Sequence, residues 1–91
     1  MYYWDVISVE ALEDYKLKVK FYDNLEGVVK ISKKWLTGVF TPLLDPTIFK
    51  KAYVDEDSCA VTWNIEGECL DLAPDTMYNE IKKNNGVYVI Q

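Results

Sequence analysis

The chain has 91 residues, 49% apolar and 14% aromatic, with 15 acidic against 10 basic side chains and a formal charge of −5. That size and composition specify one domain, residues 1–91, with a core of its own, and exclude disordered and collagen-like chains. All ten basic residues are lysines and histidine is absent. This excludes Ser-His-Asp and Cys-His catalysis, histidine-ligated zinc, and the bidentate phosphate recognition that arginine provides.

Residues 3–9 are rich in β-branched and aromatic types and predict a first strand. Residues 15–22 carry the clearest pattern in the sequence. Tyr15, Leu17, Val19 and Phe21 alternate with Lys16, Lys18 and Lys20, which places an apolar row on one strand face and three ammonium groups on the other. Asp23-Asn24 reads as a turn and residues 27–31 as the third strand. Parity constrains this hairpin. A three-residue loop, Asp23 to Leu25, sets Leu17 against Ile31, Val19 against Val29 and Phe21 over Gly27, keeping one face apolar. It also sets Lys18 opposite Lys30.

Ser32 is expected to cap a helical turn through Trp35-Leu36 that ends at Gly38. Thr41-Pro42 and Asp45-Pro46 each read as a cap followed by proline at the first helical position. Two short helical turns follow, anchored by Leu43, Leu44, Ile48 and Phe49. Residues 52–55 predict a short strand. Residues 60–65 and 68–72 predict a hairpin around Glu66-Gly67, with Val61 opposite Leu72 and Trp63 opposite Leu70 at the centre of the core. Cys69 then faces Asn64 rather than Cys59, so no disulfide joins them. Pro74-Asp75 opens a helix that Lys82-Lys83 and Asn84-Asn85-Gly86 close, with Met77, Tyr78 and Ile81 on its buried face. Residues 87–90 read as a last strand. The expected fold is α+β: an antiparallel sheet of hairpins packed against short helices in two layers.

Little of this points to chemistry. The four glycines are scattered singly and build no phosphate-binding loop. Cys59 and Cys69 match no redox motif. They are expected to be free thiols in a cytoplasmic protein, because the amino terminus lacks the basic-then-apolar pattern of a signal peptide. No apolar run approaches the ~20 residues that span a bilayer, so no membrane association is expected. The carboxylates around residues 55–57 and 66–75 do not follow an EF-hand pattern, since Cys59 and Ala60 stand at its fifth and sixth positions. No catalytic residue, metal ligand or cofactor is expected.

Several blocks, taken in order, resemble a family of small, mostly bacterial proteins known as domain of unknown function 2442. They are Val9-Glu10-Ala11, Leu17-Lys18-Val19, Glu26-Gly27-Val28-Val29, Gly38-Val39-Phe40-Thr41-Pro42-Leu43, Asp45-Pro46 through Phe49, Val54-Asp55, Val61-Thr62-Trp63 and Asp71 through Tyr78. The resemblance covers about Asp5 to Tyr78. It implies a compact α+β domain like the amino-terminal domain of a longer member that also carries a DNA-binding helix-turn-helix. It also implies membership of a two-protein system of toxin–antitoxin type. After Tyr78 this sequence has no room for a helix-turn-helix, and the family supplies no catalytic residues.

Two candidate surfaces remain. The aromatic start (Tyr2, Tyr3, Trp4) and the apolar end (Tyr88, Val89, Ile90) can pair with another chain by strand addition, giving a homodimer or a complex with another small protein. The lysine face (Lys16, Lys18, Lys20, Lys30) can contact nucleic-acid phosphates, although the net negative charge opposes it. The expected function is a non-catalytic bacterial interaction module. A nucleic-acid-associated regulator is the alternative.

Overall fold

The structure is a computed structural model that describes residues 2–65 and 68–91; of Val39 and of residues 64–65 and 68–70 only the backbone is described. The lysine-apolar alternation builds the first sheet. In β2 (Lys16–Phe21), Leu17, Val19 and Phe21 are fully buried. On one side of it lies β1 (Val6–Leu12) and on the other β3 (Glu26–Ile31), both antiparallel. After the short strand β4 (Tyr53–Val54), β5 (Val61–Ile65) and β6 (Glu68–Leu72) complete a second, three-stranded sheet in the order β4-β5-β6. The last strand, β7 (Val87–Ile90), returns to the first sheet and gives it the order β1-β2-β3-β7. The fold is thus α+β as expected, with two differences. There are two sheets, and β7 pairs with β3 in parallel, Val28 beside Val87 and Ile31 beside Ile90.

The first strand begins later than residue 3. Asp5 turns the chain instead: its carboxylate accepts the Tyr2 amide at 2.9 Å and its own amide donates to the Tyr2 carbonyl at 3.0 Å. The β2–β3 loop is odd in length, as parity requires, but starts one residue earlier than expected. Phe21 donates to the Leu25 carbonyl at 2.8 Å, leaving Tyr22 to Asn24 as the loop. Asn24 takes a left-handed conformation (φ 76°), and the Asp23 carboxylate accepts the Leu25 amide at 2.9 Å. The register therefore moves by two. Leu17 faces Val29, Val19 faces Gly27, and it is Lys16 rather than Lys18 that stands opposite Lys30.

Ser32 opens consecutive turns, not a helix, with Trp35 and Leu36 donating to the Ser32 and Lys33 carbonyls. A 3-10 helix runs over Gly38–Leu44 with Pro42 inside it. Thr41 does not cap; its hydroxyl donates back to the Gly38 carbonyl at 2.8 Å. Helix α1 (Pro46–Phe49) has the expected cap, the Asp45 carboxylate accepting from the Thr47 amide and hydroxyl at 2.9 and 2.7 Å. Of the four expected anchors, Leu43 and Phe49 are buried, Ile48 is half-buried and Leu44 is exposed.

The β5–β6 register is as expected, and Trp63 is buried with its indole N–H donating to the Phe49 carbonyl at 2.9 Å. The tip of this hairpin, Glu66-Gly67, lies outside the described residues. Helix α2 (Pro74–Lys83) has Pro74 at its first turn and buries Met77, Tyr78 and Ile81 against the sheet. Its end is a Schellman closure: Asn85 is left-handed (φ 57°) and the Gly86 amide donates to the Ile81 carbonyl at 2.7 Å.

Candidate functional site

Strand β7 is an edge of the four-stranded sheet. Its alternation with β3 fixes which backbone groups are engaged. Gly86 and Ile90 carbonyls accept the Val28 and Ser32 amides, both at 2.8 Å. Even-numbered residues of β7 therefore turn their backbone groups toward β3, and Val87 and Val89 turn theirs away from it. The opposite edge is different. There the Val6 amide donates to the Cys59 carbonyl at 3.2 Å, so the segment after β4 covers the start of β1.

Protein edges are usually guarded by charge, proline or a bulge. Val87-Tyr88-Val89-Ile90 has no charge and no proline. Side chains divide by face: Val89 is 46% exposed on the outer face, while Tyr88 is half-buried and Ile90 buried on the inner one. Tyr88 and Ile90 form one wall of a groove of about 220 Å³, which Leu72 and Met77 also line. Trp35 and Phe40, their rings 4.3 Å apart, line it as well, with Asp71 and Thr76 as its polar groups. The sequence reading gave neither of these aromatics a role in binding.

The structure does not unite the aromatic start with this strand. Tyr2, Tyr3 and Trp4 precede β1, which is the other edge strand. Tyr2 stacks on Trp4 at 4.5 Å and Tyr3 meets Tyr78 edge-on at 5.1 Å. Tyr2 and Tyr3 remain 64% and 53% exposed. Beside them the Tyr78 hydroxyl donates to the Asp23 carboxylate at 2.5 Å, tying α2 to the β2–β3 loop. That hydrogen bond holds the phenol well above its ordinary range, at about 12, and lowers the Asp23 carboxyl.

The expected lysine face exists but is not uniformly basic. Lys18 stands opposite Glu10, Lys20 opposite Glu26, and only Lys16 and Lys30 face one another. Carboxylates interleaved with ammonium groups weaken the field that a phosphate backbone would sense.

A cavity of about 370 Å³ lies under the β1–β2 turn, between Leu12, Tyr15, Phe49 and Pro46. Asp14 and Tyr15 are both left-handed (φ 59°) there. The Tyr15 hydroxyl donates to the Leu44 carbonyl, and the Lys33 ammonium lies 5.7 Å from the Tyr15 ring centre. Glu13, Asp14, Lys33 and Lys50 give this cleft both signs of charge. Cys59 is a half-buried free thiol, raised above its ordinary range by burial and by nearby Asp5 and Asp55. Among the described residues, no group of three or more metal-ligating side chains comes together and no helix is long and apolar enough to cross a membrane.

Fold and surface together define a small α+β domain whose four-stranded sheet ends in the uncharged strand β7. Residues 6–83 match the family described as "Protein of unknown function (DUF2442)", and the chain belongs to that family. No curated protein and no solved structure matches it.

Proposed function

We propose that this protein is a non-catalytic interaction module that takes up an extended segment of another chain along β7. The observation that supports this reading is the uncharged β7 edge, whose Val87 and Val89 backbone groups turn away from β3 beside the Trp35–Phe40 groove. The interleaved charges on the lysine face favour it over nucleic-acid binding.

Affinity capture from the native host, read by mass spectrometry, tests the reading when run beside Val89→Pro. Proline removes only the Val89 N–H, which does not serve the β3 pairing, and proline is tolerated at such edge positions. Recovery of one stoichiometric protein by the wild type and its loss with Val89→Pro is the expected result. Retention of that protein by the variant, or recovery of nucleic acid alone, would overturn the proposal.

A further inference from the structure

Resting on the reading of β7 as a docking edge, we infer that its occupant is β7 of a second copy of this chain, paired antiparallel about a two-fold axis at Tyr88. The outward-turned backbone groups sit on Val87 and Val89, one residue either side of Tyr88. In this register Val87 lies opposite Val89 of the second copy, and Val89 opposite its Val87. Each is a hydrogen-bonded pair that exchanges both N–H···O bonds, so every outward donor and acceptor of the two residues is satisfied. A register displaced by one residue would match Val87 and Val89 against groups already bonded to β3.

Side-chain chemistry agrees with self-pairing. Charged residues make up 27% of the chain, yet none falls in Val87–Ile90. Two copies with a net charge of −5 each can therefore meet along this seam without like charges standing opposite one another. On the outer face the exposed Val89 gains a Val87 neighbour. On the inner face the two Tyr88 rings meet as a non-hydrogen-bonded pair, where side chains approach most closely. That contact extends the aromatic wall of the groove formed with Trp35 and Phe40. Two four-stranded sheets become one. The contact is isologous and closes at the dimer, because each copy offers the same strand to the other. The seam is four residues long, so the association is concentration-dependent.

Sedimentation equilibrium over a concentration series tests the association, and cysteine cross-linking tests the register. With Cys59 and Cys69 replaced by serine, Tyr88→Cys should form a disulfide-linked dimer on mild oxidation, because its two copies face one another across the axis. Val89→Cys, which faces Val87, should form at least about tenfold less. Opposed cross-strand positions bring Cβ atoms to ~4.5–5.5 Å, within reach of a disulfide after small shifts. The mass should rise toward twice the monomer value with concentration and stay monomeric in Val89→Pro. A wild-type chain that stays monomeric at every concentration, or equal cross-linking at positions 88 and 89, would overturn self-pairing. If the captured partner is nonetheless lost with Val89→Pro, the docking reading survives that failure. A dimer that persists unchanged in Val89→Pro would overturn self-pairing along β7, and retention of the captured partner by the same variant would overturn the docking reading.

Discussion

Gly27 stands in β3 directly against Ile81 of helix α2. A methyl group added there would lie 2.4 Å from Ile81 Cγ2, 2.9 Å from Ile81 Cδ1 and 2.9 Å from the Gly86 carbonyl oxygen. Heavy atoms in contact settle at roughly 3.5–4.0 Å, so all three distances are repulsive. Rotating Ile81 cannot relieve them together, because both of its branches are involved. The Gly86 oxygen is also fixed, since it accepts the Val28 amide at 2.8 Å. Gly27→Ala must therefore push α2 outward or stretch the first bond between β3 and β7. Overpacking of this kind costs about 1–3 kcal/mol. The reduced freedom of the unfolded chain returns about 0.4–1 kcal/mol. With a contact of 2.4 Å the cost falls in the upper part of the overpacking range, about 2–3 kcal/mol, so the net loss is about 1–2.5 kcal/mol. At about 4–8 °C per kcal/mol for a domain of this size, the melting temperature should fall by about 5–20 °C. Thermal unfolding followed by circular dichroism measures this directly. A double-mutant cycle isolates the cause. Ile81→Ala alone removes a fully buried side chain and should cost about 2–5 kcal/mol, but it also vacates the space the new methyl needs. The double variant should then be more stable than the sum of the single effects by about 1 kcal/mol or more. A Gly27→Ala protein that melts with the wild type, or strict additivity in the cycle, would refute the packing argument.

Spectrophotometric titration of the seven tyrosines should show one ionising near 12 and disappearing in Tyr78→Phe; an unchanged alkaline limb would show that the Asp23 contact is not formed. Because the folded pKa lies above the ordinary value of 10, the stabilisation from this phenol is complete below pH 10 and is lost as the pH rises toward 12. The lowered Asp23 carboxyl acts in the opposite sense, stabilising above its ordinary value of 3.8 and losing that contribution as the pH falls through its folded value. Trp63→Phe removes the indole donor from the Phe49 carbonyl, which keeps the longer bond from the Ala52 amide at 3.3 Å, and should lower stability by about 0.5–1.5 kcal/mol. A urea midpoint equal to that of the wild type would contradict this.

What the sequence reveals depends on how local the determining contact is. The β5–β6 hairpin is legible to the residue because a two-residue loop leaves a single register consistent with Val61, Trp63 and Leu72 on one face. Helix α2 is legible because Pro74, Lys82-Lys83 and the Asn84-Asn85-Gly86 closure all mark its ends. In the β2–β3 hairpin only parity can be read. Registers that differ by two residues keep Leu17, Val19 and Phe21 on the same face, and the choice falls to Asn24 and to the Asp23 carboxylate. Tyr3-Trp4 has the composition of a strand, yet one carboxylate, that of Asp5, folds it into a turn. The candidate site follows the same rule. Tyr88, Val89 and Ile90 are recognisable as a terminal strand, but their faces and the parallel direction of β7 depend on β3. Trp35 and Phe40 reach the groove from a segment far away in the chain, so no local pattern announces them.

The parallel pairing also orders the assembly of the fold in time. Strands β1, β2 and β3 follow one another through short turns, so their contacts close small loops and cost little chain entropy. Strand β7 reaches β3 only after everything between Ile31 and Val87 has been drawn back, including the whole second sheet and both helices. Contacts so distant in sequence form slowly. The early meander therefore leaves its β3 flank open until α2 swings β7 into place. In a crowded cell, the same uncharged strand that makes the finished edge is the last piece for which other chains can compete.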